Sequence, residues 1–259
     1  MAWVGFQPRN PWEPRLPIFG GANTFTPLSL GADLYDMWDA EMLSTISTSG
    51  ATVTEWRSVK NGYAATQAVG TAMPIYSSVS FNGRPGLLFD GVDDELTYAG
   101  TGVFPVGATP SVIWMLVDQM TLAADATVRV FGGYGDQAAT RRAVARVVNS
   151  GVNRARVDAG NGGGTITGLN NAVDLSGRHV IKATFTATDM MIDIDGVAGV
   201  TTAVVPATAS TRVRIGAATA AVAANFANCI FSLLAVTNPL SATPDAQMLA
   251  YLKARGGIA

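Results

Sequence analysis

One cysteine and one histidine in 259 residues remove several chemistries at the outset. Cys229 alone can form neither an internal disulfide nor a cysteine-based zinc site, and in the run Cys229-Ile230-Phe231-Ser232-Leu233-Leu234 it reads as a small buried hydrophobe. Stability must then come from packing or assembly, and the lack of staples fits synthesis in a reducing cytosol. A histidine-based triad would have to use His179, which no Gly-x-Ser-x-Gly elbow accompanies. His179 precedes Val180-Ile181 at a strand start, which is a structural place. Charge is also scarce, at 14% of residues and a net −2, so no global attraction to nucleic acid or an anionic membrane is expected. No apolar run reaches the roughly 18 residues that span a bilayer. Met1 to Asn10 lacks the basic start and apolar core of a signal peptide, so a soluble, non-exported chain is expected.

What is present is apolar material, 48% of the chain, with 28 glycines. That supplies a sizeable core with frequent turns. Residues 1–27 differ from the rest. Trp3, Phe6, Trp12, Phe19 and Phe25 alternate with Pro8, Pro11, Pro14, Pro17 and Pro27, a density that prevents helix and central strand and favours extended chain. Two uses of such an arm stay open: its rings fill pockets on a larger assembly, or it folds back on its own domain.

The domain proper, residues 28–259, is organised around Asn82 to Leu96. Asn82-Gly83 and Asp90-Gly91 supply tight reversals on either side of the short apolar run Leu87 to Phe89. A strand and then a turn are expected over Ala32 to Glu41, and further strands at Val53 to Trp56, Val112 to Val117, Val128 to Phe131, Ala143 to Val148 and Ala155 to Asp158. Others follow at Val180 to Phe185, Met190 to Ile194, Val213 to Ile215 and Ile230 to Val236. Asp195-Gly196 ends a hairpin. Leu240 to Gly256 reads as a helix capped by Thr243, with Pro244 in its first turn, Lys253 and Arg255 in its last, and Gly256 as its stop.

Several of these segments come in a recognisable order: Trp38-Asp39, Glu55-Trp56, Asn61-Gly62, Ala64-Ala65-Thr66-Gln67, Asn82-Gly83-Arg84-Pro85, Phe89-Asp90-Gly91-Val92-Asp93-Asp94, and the closing helix. Residues 28–259 thereby resemble the concanavalin A-like, laminin-G-like jelly rolls found in fibre and spike proteins of bacteriophages and gene transfer agents. Arg57-Ser58 stands where that family has an aspartate, which weakens any ligand role there. The resemblance implies an all-β, two-sheet antiparallel jelly-roll sandwich with a C-terminal helix, preceded by the extended N-terminal arm.

The fold includes glucanases, whose signature sets two glutamates and an aspartate at alternating positions on one strand. The chain has only Glu13, Glu41, Glu55 and Glu95, and none lies in such a run. Asp193 and Asp195 share a strand face but adjoin Gly196 as turn residues. A non-enzymatic protein, without cofactor, is therefore expected. Asp90, Asp93 and Asp94 could offer oxygens to calcium, or hydrogen-bond the backbone of their own turn. Arg141, Arg142, Arg146, Arg154 and Arg156 fall on two neighbouring strands, and Arg154 and Arg156 share a face. They form either a patch for anionic sugars or a solvated face paired with Asp136 and Asp158. Gly160 to Gly164 is no phosphate loop, because no lysine and helix follow. Tyr134, if exposed, would stack on a sugar ring.

The expected function is that of a virion adhesion protein, a head spike, fibre or tail-tip component. It would bind cell-surface polysaccharide and attach to other particle proteins through Trp3, Phe6, Trp12 and Phe19. The partners implied are those proteins and the glycan, with no nucleic acid or membrane, and a homo-trimer or other homo-oligomer. The place is the virion, assembled in the host cytoplasm. The alternatives are a stand-alone bacterial carbohydrate-binding module and a glycan-cleaving enzyme.

Overall fold

The computed structural model describes residues 25–100, 104–119, 128–135, 144–149, 153–160, 165–170, 173–207, 212–217 and 226–259. In chain order the strands are β1 (Leu34–Asp39), β2 (Ile46–Ser49), β3 (Thr52–Arg57), β4 (Ala64–Thr66), β5 (Ile75–Phe81) and β6 (Arg84–Asp90). They continue with β7 (Leu96–Ala99), β8 (Ser111–Gln119), β9 (Val128–Tyr134), β10 (Val144–Asn149), β11 (Asn153–Gly160) and β12 (Thr165–Asn170). The last are β13 (Gly177–Phe185), β14 (Asp189–Ile194), β15 (Val197–Ala198), β16 (Thr202–Ala203), β17 (Arg212–Ile215) and β18 (Asn228–Thr237), before helix α1 (Ala242–Gly256).

These strands pair antiparallel and fold into two layers. The back layer is centred on β18, which pairs with β8 along one edge. β13 and β14 follow beyond β8. On its other edge β18 meets β6 through Asn228 to Phe231 and β1 through Leu233 to Thr237, and β5 lies beyond β6. The front layer runs β2-β3-β4-β7-β17-β9-β10-β11-β12. A single pairing, Thr52 with Ile75, joins the layers at a corner. The all-β sandwich with its C-terminal helix is thus the observed architecture.

Two cores explain the near-continuous apolar runs of β8 and β18. Ile113, Met115 and Val117 point inward and pack with Trp56, Leu96, Phe131, Val213 and Ile215 of the front layer. Val112, Trp114 and Leu116 point outward under Met248 and Leu252 of α1. A strand buried on both faces loses the polar half of its alternation. Each such side chain contributes about 1.5–3 kcal/mol by leaving water.

Buried charge locks this side. The Arg255 guanidinium donates to both carboxylate oxygens of Asp39 at 2.8 and 2.6 Å and to the Ser232 carbonyl at 3.1 Å. Asp36, wholly buried, accepts from Ser58 Oγ at 2.7 Å, the Lys60 N–H at 3.1 Å and Asn61 Nδ2 at 3.0 Å, and so holds the turn after β3. A buried carboxylate needs such donors to offset its lost hydration.

The reversals are built as their residue types demand. Asn82 and Gly83 have φ of 51° and 74°, and Asp195 and Gly196 have 54° and 88°. The helix departs from expectation by a residue or two at each end. Ser241, not Thr243, holds the N-cap position, and Gly257, at φ 62°, takes the left-handed C-terminal place. The N–H groups of Gly257 and Ile258 close on the carbonyls of Ala254 and Lys253, so Gly256 remains helical. Before β1, Phe25 sets its ring edge-on against Tyr251 of α1, with centroids 6.2 Å apart.

Candidate functional site

The outer face of the front layer is the polar face of the sandwich. Across it a row of paired residues runs Glu55, Thr66, Thr97, Arg214 and Gly133 on β3, β4, β7, β17 and β9. The neighbours of that row, Trp56, Ala65, Leu96, Val213 and Ile215, are buried between the layers, as period-two alternation requires. β11 shows the same split, with Ala155, Val157 and Ala159 inward and Arg154, Arg156 and Asp158 outward.

Arginines and acids on this face are matched only in part. Arg57 donates to both oxygens of Glu55 at 2.7 and 3.1 Å. Arg214 lies 3.3 Å from Glu95, and Arg156 Nε donates to Asp158 at 2.8 Å. Arg154 and Arg212 have no acidic partner among the described residues. Among the described residues each of these three acids thus faces an arginine, and two of the five arginines face none.

At one end of this face lies the turn between β6 and β7. Asp90, Asp93 and Asp94 bring carboxylate oxygens within 4.8 Å of one another. Asp90 accepts the N–H of Val92, and Asp94 accepts the N–H of Asp90, each at 2.8 Å. Arg129 donates to the Gly91 carbonyl. Gly91 has φ 80°, and a Cβ there would stand 2.8 Å from that of Asn228, so glycine is required on both counts. Burial pushes the Asp94 carboxyl up to about 6, helped by the charges of Asp90 and Asp93 and opposed by the N–H it accepts. The three carboxylates are of the type that holds calcium, which takes 6–8 oxygens, but Asp90 and Asp94 already have backbone partners in the turn.

The other candidates are dispersed. Tyr134 is corrected: it is 4% exposed, its hydroxyl shares a hydrogen bond with Ser111, and its ring packs 5.4 Å from that of Phe104. It belongs to the core and is not available to stack on a sugar. Trp3, Phe6, Trp12 and Phe19 lie outside the described residues, as do Arg141, Arg142, Asp136 and the side chain of Arg146. Arg154 and Arg156 do share the outer face. Arg212, Arg214 and Glu95 were not singled out from sequence, although Arg212-Val213-Arg214-Ile215 carries the alternation that places both arginines outward.

His179 and the two strand aspartates belong to the back layer. His179 Nδ1 sits 2.7 Å from Asp195 Oδ2. Burial lowers the His179 pKa, but its hydrogen bond to Asp195, the charge there, the Ser176 carbonyl and Asp174 together leave it above the usual value. Lys182 bonds Asp245 of α1 at 2.7 Å, stands 3.9 Å from Asp193 and lies over the Trp114 ring at 5.0 Å. Burial raises the Asp193 carboxyl, with Lys182 opposing. These groups fasten the hairpin and helix to the sheet.

No family model and no curated protein matches the chain. Solved structures do. A sialidase of Trypanosoma rangeli, in complex with 2,3-difluorosialic acid, matches over 94% of this chain and 36% of its own, at 15% identity and a TM-score of 0.61. An arabinofuranosidase complexed with arabinofuranosyl-α-1,2-xylobiose matches over 79% and 50%, at 13% identity and a TM-score of 0.58. Domain 4 of an extracellular GH43 arabinanase from Geobacillus stearothermophilus, in complex with arabinotriose, matches over 85% and 98%, at 14% identity and a TM-score of 0.55. The fold is thus that of β-sandwich domains in carbohydrate-active proteins. The chain spans only half or less of the arabinofuranosidase and sialidase chains. The expectation of a protein without enzymatic activity does not stand. Hydrolase chains contain this sandwich, and the missing glucanase run excludes one arrangement of carboxylates only.

Proposed function

We propose that this chain is a carbohydrate-binding β-sandwich that takes a polysaccharide on the outer face of its front layer. The observation that carries this is the match along 98% of the arabinanase domain solved with arabinotriose. Its support within the molecule is the contrast between faces: helix α1 covers the back layer, whereas the front layer presents paired and unpaired polar groups outward. Affinity electrophoresis of the full chain through gels containing arabinan and other polysaccharides tests it. Retardation by at least one is expected; unchanged mobility in all of them would overturn the reading.

In the same reading the module is a concanavalin A-like sandwich borne on a phage or gene transfer agent particle, as a spike, fibre or tail-tip adhesin located in the virion. Residues 1–27 are its attachment arm, and a homo-trimer is its assembly. The aromatic-proline composition of the arm supports this. Removal of residues 1–24, keeping Phe25 on Tyr251, is expected to abolish incorporation into particles while glycan retardation persists; incorporation of the shortened chain would refute the arm.

A second reading, glycoside hydrolysis, is favoured by the hydrolases among the similar structures. Release of reducing ends from a retarding polysaccharide would establish it.

A further inference from the structure

Among the described residues the front layer carries two arginines with no acid beside them, Arg154 and Arg212, on a chain whose net charge is −2. Arg57 forms an ion pair with Glu55, Arg214 with Glu95 and Arg156 with Asp158. Arg154 and Arg212 flank these pairs on the same face. Ala155, between Arg154 and Arg156, and Val213, between Arg212 and Arg214, are both buried inward, which fixes the outward direction of the arginines. A partly exposed guanidinium with no acid beside it can donate two parallel hydrogen bonds to a planar oxyanion, which is carboxylate chemistry.

The spacing of the two free arginines bears on ligand size. Arg212 pairs with Ala99 of β7, and Arg154 lies on β11, beyond β9 and β10. About six residues along the strands and about three strand intervals across them separate the two positions, which amounts to roughly 25 Å on a sheet of ordinary dimensions. One sugar cannot touch both; an extended chain can.

We infer that the front layer selects an acidic polysaccharide, one whose repeating units bear carboxylates, with Arg154 and Arg212 as the two charge-reading contacts at opposite ends of its path. This rests on the carbohydrate-binding reading above and adds the class of ligand. The paired arginines set the register of the face, and the acids beside them disfavour a ligand that is charged at every atom group along its length.

The test compares three probes on the full chain by affinity electrophoresis at 50 and 200 mM NaCl: polygalacturonate, neutral arabinan and poly-L-glutamate. Polygalacturonate should bind about tenfold more tightly than arabinan and weaken several-fold at the higher salt, as screening of partly exposed charges requires. The double variant Arg154→Gln, Arg212→Gln should lose about tenfold for polygalacturonate and distinctly less for arabinan, with Tm unchanged. The corresponding double lysine variant, which keeps the charge, should recover part of the loss and guards against a folding defect. Arabinan binding as tightly as polygalacturonate would overturn the inference and leave the carbohydrate-binding reading standing. Equal binding of poly-L-glutamate would also overturn it, since the face would then be a general polyanion patch. Wild-type affinity in the glutamine variant would do the same, and binding of no polysaccharide would remove both readings together.

Discussion

The two faces of this sandwich treat arginine in opposite ways. Behind the back layer Arg255 is 4% exposed and spends its guanidinium on Asp39 and Ser232, fastening the end of α1 to β1 and β18. On the front layer Arg154 and Arg212 have no acid among the described residues, and Arg57 is tied to Glu55 in a pair that is half in water. A cation withdrawn from solvent must be fully answered inside the protein, so the back-layer arginine is architecture. A cation left at the surface costs little to hold and remains open to a ligand. The chain thus separates the charges that build it from those that can act.

Breaking the buried pair should give the largest effect. Arg255→Ala leaves Asp39 charged with only the Glu41 N–H to answer it, and a loss of about 3–5 kcal/mol is expected by urea unfolding. Glycan binding by the fraction still folded should be unchanged; a loss below 1 kcal/mol would erase the contrast between the faces. Trp114→Ala, which empties the contact between β8 and α1, should cost about 3–5 kcal/mol as well, again without changing ligand affinity.

The acidic turn is expected to respond to pH in a definite direction. The Asp94 carboxyl is raised in the fold from 3.8 to about 6, so between these values the folded state holds more protons and stability falls as pH rises. Asp94→Asn, which still accepts the Asp90 N–H, should therefore be about 1–2 kcal/mol more stable than the wild type at pH 7.5, with the advantage gone at about pH 3.5. An advantage that grows toward low pH would contradict the burial of that carboxyl.

His179 should show a dependence of the same sign, displaced to higher pH. Its pKa is raised in the fold, so its pairing with Asp195 stabilises fully below the unfolded value of 6.5 and is lost as pH rises through the folded one. His179→Ala should cost about 1 kcal/mol at pH 5.5 and less at pH 8.5, read from Tm at both. The smallest effect is reserved for the exposed pair on the front layer. Arg57→Ala should change stability by less than about 0.5 kcal/mol.

Much of the architecture was legible because local chemistry and global fold agree. The Asn82-Gly83 and Asp195-Gly196 reversals, the apolar runs of β8 and β18 and the closing helix each carry their own signal. The strands that escaped notice are β2, β4, β5, β7, β12, β15 and β16; β2, Ile46-Ser47-Thr48-Ser49, and β4, Ala64-Ala65-Thr66, are short and polar and alone look like crossing loop. They are held by register with their neighbours, information that no window of a few residues contains. The site was legible in part. Arg154 and Arg156 follow from alternation, and Arg212 and Arg214 could have followed from the same rule. Tyr134 could not. Phe131 and Tyr134 are three residues apart, which strict alternation sends to opposite faces, yet both enter the core. The register of β9 against β10 shifts between Gly132 and Val130, and a side chain at Gly132 would stand 2.7 Å from the Arg214 carbonyl. An irregularity of this kind turns the strand by one position and reverses which ring meets water.

Hydrogen–deuterium exchange of the full chain with and without a retarding polysaccharide bears most directly on the use of the front face. Added protection is expected over Leu96–Ala99, Asn153–Gly160 and Arg212–Ile215, with the helix Ala242–Gly256 unaltered. Protection confined to the helix and the strands beneath it, with the front layer exchanging as in the free protein, would contradict the account.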